Sequence, residues 1–243
     1  MKLGLGPIRL DGMTRVRLEL LAEAAVEASF DSVWVAESRA DGVGGGLAAA
    51  ALLAQVVPIR VGALVDAGVY HPLHMAEDIA IADLTSQGRL EVILRGGPAE
   101  HLQVLVAALS GAHIRFDGSD LHVPARLDAN QPVPERLALN PRPAQPVVPI
   151  WVLEREGALA RDLGLGLAAV WSAGARVPPA TGRVPGMLLC QAGADPGDLL
   201  RAAGESAGYF LVGAETPRDV VSSGRRLVGP LRMPGFPEWI NAP

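Results

Sequence analysis

Four arginines stand where a chain of this kind could gather an anion. Arg39, Arg95, Arg155 and Arg176 fall at or near the ends of strand-forming runs. Guanidinium groups brought together in that way suit a phosphate or carboxylate. Glu37, Glu154 and Glu156 lie beside them in the chain, and ordinary ion pairs are the competing reading. His71 precedes Pro72 at a strand-to-helix junction, where a structural hydrogen bond and a pocket role are both open. His74 lies one turn into the helix, at the surface or an interface. His101, His113 and His122 lack metal-ligand spacing such as two histidines four apart on one helix, so no metal is expected. Ser38 and Ser172 lack the Gly-x-Ser-x-Gly setting of a hydrolase nucleophile. Residues 42–46 are nearly all glycine but lack the Gly-Lys-Ser/Thr ending of a phosphate loop, and read as a flexible loop. Trp34, Trp151 and Trp171 sit in strand patterns, as barrel core or pocket wall. No side chain stands out as a general acid or base.

The elements that must position these groups alternate from the start. Residues 3–6 form a short strand. Thr14 caps a helix over 15–28, where Val16, Leu20, Leu21, Ala24 and Ala25 recur at helical spacing. Strands follow at 32–36 and 60–65, with an Ala-rich helix over 47–57 between them. Pro72 opens a helix carried by Leu73, Ala76, Ala80, Ile81 and Leu84 and ended by Gly88. A strand at 89–94 and a helix at 100–109 come next. Residues 114–146 are Pro-rich and read as an excursion between barrel units. Regular units resume with strand 147–153, helix 156–163 and strand 167–172. Beyond lie possible strands at 186–191 and 209–212, a helix from 217 to 227, and an irregular tail over 231–243. Strongly apolar strands alternating with helices imply a parallel sheet under a helical layer. Six units are countable up to residue 172, so an α/β barrel that is incomplete or truncated in its C-terminal third is expected, as one domain over 1–243.

Composition narrows the classes. Of 243 residues, 49% are hydrophobic and 19% charged, enough apolar surface for a large core. The net charge is −5 and Lys2 is the only lysine, which argues against nucleic-acid binding. Cys190 is the only cysteine, so neither an internal disulfide nor a cysteine-rich metal site can form. Its apolar surroundings read as a buried strand thiol. The N-terminal apolar run is too short for a signal peptide and no run reaches the length of a bilayer, so a cytoplasmic location without membrane contact is expected.

Three segments carry a resemblance. Residues 30–37 (Phe-Asp-Ser-Val-Trp-Val-Ala-Glu), residues 71–91 (from His-Pro-Leu-His-Met-Ala-Glu to Ser-Gln-Gly-Arg-Leu-Glu), and residues 149–153 with 158–165 occur in the order found in one family. A weaker fourth lies at 211–220. In these the chain resembles the bacterial luciferase-like flavin monooxygenases and F420-dependent oxidoreductases. The resemblance implies a (β/α)8 barrel of the TIM type. It implies FMN or coenzyme F420 lying across the mouth near Ala63, Leu64, Val65, Leu94, Arg95, Arg155, Trp171, Ser172, Ala173 and Gly174. It places a substrate pocket near Glu37, Arg39 and His71. The partners it implies are a small organic substrate, a flavin reductase, and a second subunit, identical or paralogous, docked on the helices over 47–57 and 72–84.

The family pattern is altered where a barrel binds its ligand, at the C-terminal strand ends. Glu37-Ser38-Arg39 replaces a Glu-His-His run. Ile93 and Arg95 occupy positions that are glycines in the family. Glu154-Arg155-Glu156 replaces the small residues expected near the phosphate. Two readings follow: an oxidoreductase using a reduced flavin or deazaflavin on a small organic substrate, or a catalytically degenerate relative that binds a ligand or supports a partner. An unrelated hydrolase or kinase lacks its motifs.

Overall fold

The computed structural model describes residues 1–37, 45–124, 136–153, 157–171, 185–190, 198–199 and 207–232. In chain order the elements are β1 (Lys2–Arg9), α1 (Arg15–Glu27), β2 (Ser32–Ala36), α2 (Gly45–Leu53), β3 (Arg60–Asp66), α3 (Pro72–Thr85), β4 (Leu90–Arg95) and α4 (Ala99–Leu109). They continue with β5 (Phe116–Asp117), β6 (His122–Val123), β7 (Ile150–Leu153), α5 (Gly157–Asp162), β8 (Gly166–Val170), β9 (Gly186–Cys190), β10 (Ala207–Val212) and α6 (Pro217–Arg232). Eight strands close into one barrel in the order β1-β10-β9-β8-β7-β4-β3-β2. Every neighbouring pair in it is parallel.

The expected incompleteness of the C-terminal third is corrected in the strand layer. β9 and β10 are present, and β10 returns to β1 through Lys2↔Tyr209 to Leu5↔Val212. All five residues of β9 are buried, so the strand shows no in–out alternation to betray it. The excursion at 114–146 holds the antiparallel hairpin β5–β6, outside the barrel. Glu100, at the start of α4, pins that hairpin's turn by accepting from the backbone N–H groups of Ser119, Asp120 and Leu121. α6 runs on to Arg232, two residues into the segment expected to be irregular; residues 233–243 lie outside the described residues.

Two cores result from the alternation of strand side chains. Outward-facing residues such as Val33, Val35, Val61 and Val92 pack under the helices. Inward-facing ones fill the lumen: Trp34, Leu64, Ile93, Trp151, Ala168, Met187, Leu189, Tyr209 and Leu211. Trp34, Trp151 and Tyr209 stack edge-to-face on one another at 5.7–6.0 Å between centroids. Room for Trp34 comes from Gly62, where a Cβ would collide with the indole ring.

Below the aromatic rings the lumen is closed by charge. Glu91 is fully buried, takes the Tyr209 hydroxyl at 2.6 Å, and pairs with Arg60 and Lys2 at the barrel base. The turn between α3 and β4 is fixed by backbone caps. Arg89 donates to the carbonyls of Ala54, Val57, Ile59 and Ser86, while Asp83 accepts from Gln145. No helix among the described residues is long and apolar enough to cross a membrane.

Candidate active site

A lumen packed solid to the level of Leu64, Leu189 and Leu211 leaves chemistry to the strand ends above it. β3 and β4 pair in register with Asp66 opposite Arg95, and that register makes their ion pair, 3.6 Å from Arg95 Nη2 to Asp66 Oδ2. Arg95 keeps substantial solvent access, whereas Asp66 is largely covered. Asp66 Oδ1 also accepts from the Gly68 N–H at 3.2 Å. One strand over, β2 ends at Ala36, and the next residue's N–H, from Glu37, donates to the Leu64 carbonyl. Glu37 Oε2 in turn accepts from the Asp66 N–H at 3.4 Å. Its Cβ lies close to Gly46 in the first turn of α2, where a side chain would crowd it.

Burial raises the pKa of Glu37 above the ordinary carboxyl value. Backbone hydrogen bonds from Asp66 and Gly46 oppose the shift, the Asp66 charge adds to it, and Arg95 lessens it. A carboxyl that keeps its proton to higher pH, beside an exposed guanidinium, can hold or pass a proton at a bound ligand. The floor beneath them is apolar: Ala36 and Leu153 cap the lumen cluster beside Leu64 and Leu189. Val170, at the end of β8, is 60% exposed.

Two further groups stand just beyond β3 and β4. The Tyr70 hydroxyl and His101 Nδ1 are sealed from solvent with no hydrogen-bond partner among the described residues. An unbonded buried polar atom costs about 1–3 kcal/mol. Burial, then the charges of Glu37 and Asp78, push the Tyr70 phenol up to about 12. His71 is the N-cap of α3: its Nδ1 accepts from the Leu73 N–H at 3.3 Å, with Pro72 in the first turn. Partial burial, then His74 and His101, lower its pKa.

The sequence-derived residues divide accordingly. Glu37, Leu64 and Arg95 come together at the mouth, whereas His71 caps the start of α3. Ala63, Val65 and Leu94 lie in the same strands, where alternation turns their side chains outward under the helices, at 0–1% exposure. Trp171 leans on that outer core too. Ile93, at a glycine position of the family pattern, is buried in the lumen. Arg39, Arg155, Ser172, Ala173 and Gly174 lie outside the described residues, as do Ser38, Glu154, Glu156 and Arg176. Cys190 is buried and its thiol is pushed up to about 12 by burial, which disfavours the reactive thiolate. Among the described residues no group of three or more His, Cys, Asp or Glu is placed to hold a metal ion. A groove between α1 and α6, lined by Glu27, Arg218 and Arg225, lies on the outer layer, away from the strand ends that supply a barrel's chemistry.

Sequence reasoning missed Asp66 and Tyr70. Asp66 carried a usable signal, since a carboxylate directly after a run of apolar strand residues marks a strand end. Tyr70 carried none, because a tyrosine before His-Pro reads as loop until its hydroxyl is seen to lack a partner.

The sequence pattern of the luciferase-like monooxygenase family matches residues 12–101, the part that contains β2, β3, β4 and this whole cluster. A search of curated protein sequences finds no match. Solved structures share the fold at low identity. The monooxygenase RslO1 from Streptomyces bottropensis is 16% identical, with a TM-score of 0.60 over 93% of this chain and 97% of its own. The coenzyme F420-dependent tetrahydromethanopterin reductase from Methanopyrus kandleri is 13% identical, with a TM-score of 0.64 over 93% and 98%. DmoA from Hyphomicrobium sulfonivorans is 12% identical, with a TM-score of 0.59 over 95% and 87%. The resemblance read from the sequence motifs therefore holds, for the family pattern in residues 12–101 and for the fold of the barrel.

Proposed function

We propose that this luciferase-like barrel is an oxidoreductase that takes a reduced flavin or deazaflavin, FMN or coenzyme F420, at its mouth and acts on a small organic substrate. The observation that carries this reading is the meeting of Glu37, Asp66 and Arg95 at the ends of β2, β3 and β4, inside the family-matching segment and above an apolar floor. The residues suit such a group. A flat, largely apolar ring system matches a floor of Ala36, Leu64, Leu153 and Leu189, and an anionic portion matches an accessible guanidinium. Once bound, the cofactor supplies the redox chemistry. The chain's own part is to bind, orient and exclude water. Arg95 holds the anionic portion, exchanging some of its pairing with Asp66. The leucines keep water out from below. Glu37, its pKa raised by burial, offers a carboxyl beside the ligand.

A second subunit is part of the proposal. Leu52 at the end of α2, Val56 in the turn after it, and Ile81 and Leu84 on α3 are large apolar side chains left exposed. The two groups adjoin, since Gln55 donates to the Thr85 carbonyl at 2.7 Å. Such a patch suits burial against a second copy or a paralogue. With FMN, a flavin reductase would return the cofactor to its reduced state. The activity test is anaerobic reduction of the purified protein with each cofactor, followed by oxidation with and without a panel of small organic substrates. Substrate-dependent oxidation of the reduced cofactor supports the reading. Binding without turnover across the panel would make the chain a ligand-binding relative.

A further inference from the structure

The seam between α1 and α6 holds an open groove of about 700 Å³ with an apolar floor and a basic rim. Ala24, Pro217 and Val221 line it together with Arg218, Arg225 and Arg226, and Glu27 is the one acidic residue of the lining among the described residues. Arg218, Ser222 and Arg225 recur at helical spacing, so they share one face of α6 and span about 10 Å along it. None of the three arginines makes a hydrogen bond or ion pair among the described residues. Elsewhere arginines meet carboxylates, as Arg9, Arg15 and Arg60 do. The chain as a whole carries a net charge of −5, so this basic rim runs against its general character. The apolar strip continues along α1. Leu20 and Val16 precede Ala24 by one and two helical repeats on the same stripe, and are 49% and 66% exposed. Such a strip favours an apolar cover, and the unpaired guanidinium groups select carboxylates to flank it. A second copy set symmetrically on the seam would bring guanidinium against guanidinium, which disfavours self-association there. We propose that the α1–α6 seam is a docking site for a partner protein that presents an amphipathic helix, apolar on one face and acidic along its edge. Two turns of such a helix match the reach from Arg218 to Arg225, with its apolar side chains over Leu20, Ala24 and Val221. The site is separate from the mouth and does not depend on any cofactor there.

The test is fluorescence anisotropy with a labelled synthetic helix of about 14 residues, leucines on one face and glutamates on the other, and with a twin carrying lysines in place of the glutamates. Wild type is expected to bind the acidic helix saturably and the lysine twin about tenfold or more weakly. The double variant Arg218→Glu/Arg225→Glu should lose about tenfold or more of the affinity for the acidic helix, and Leu20→Asp a comparable factor. Both should unfold within about 2 °C of wild type, because the arginines are unbonded and Leu20 is half exposed. Leu52→Asp/Ile81→Asp, which alters the apolar patch on α2 and α3 instead, should bind the acidic helix as wild type does. Absence of saturable binding to wild type would overturn the proposal, as would equal affinity for the lysine twin or undiminished affinity in the arginine and Leu20 variants. A loss confined to Leu52→Asp/Ile81→Asp would move the contact to α2 and α3 and overturn it too. So would a change of oligomeric state in sedimentation of the arginine variant, which would assign the seam to a second copy of the chain.

Discussion

At the scale of single residues, the mouth is governed by how far each charge is taken out of water. Glu37 is half-covered and its pKa is raised, first by that loss of solvent. The folded chain therefore keeps a proton that the unfolded chain releases between the ordinary value of 4.5 and the folded one. The associated stability is intact below 4.5 and lost as pH rises through the folded pKa. Glu37→Gln, which resembles the protonated form and keeps an acceptor for the Asp66 N–H, should match wild type in thermal unfolding near pH 4. At pH 7 it should unfold about 1–3 °C higher. A lower unfolding temperature at pH 7 would mean that the ionised form is the one its neighbours favour. The sequence made Glu37 and Arg95 legible because each ends an apolar strand run. It could not show that Asp66 ties them together, since that depends on the cross-strand register of β3 and β4. Nor could it separate Leu64 from Ala63 and Val65, because fully apolar strands carry no in–out alternation.

At the scale of elements, the barrel is set by what each strand admits to the lumen. β3 contributes Gly62 opposite Trp34 of β2, and the indole occupies the space a side chain would need. Gly62→Ala should destabilise the fold by about 1–3 kcal/mol or more, since backbone and ring cannot both yield. Adding Trp34→Phe should recover part of the loss; calorimetry of the two variants decides, and an unaltered Gly62→Ala would contradict this packing. α3 shows why its segment was the most readable. His71 and Pro72 start it and Gly88 ends its turn at φ +75°, each a local signal. Barrel closure was not readable, because β9 and β10 are short apolar runs whose place is fixed only by partners distant in sequence.

At the scale of the whole molecule, the barrel has a charged base, a solid aromatic middle and, among the described residues, a polar rim over β2, β3 and β4. On the outside, Leu52 is 55% and Ile81 51% exposed on adjoining helices. The proposed second subunit predicts that wild type sediments as a dimer, and that the double variant Leu52→Asp/Ile81→Asp sediments as a monomer with its fold retained. A wild-type monomer at micromolar concentration would remove that part of the account. The central claim is that the rim holds a flavin-type cofactor through Arg95, and one measurement addresses it most directly: equilibrium titration of wild type and Arg95→Ala with FMN and coenzyme F420. Saturable binding of one cofactor to wild type, weakened about 10- to 100-fold in the variant, is the expected result. Absence of binding to wild type, or equal affinity in both proteins, would contradict it.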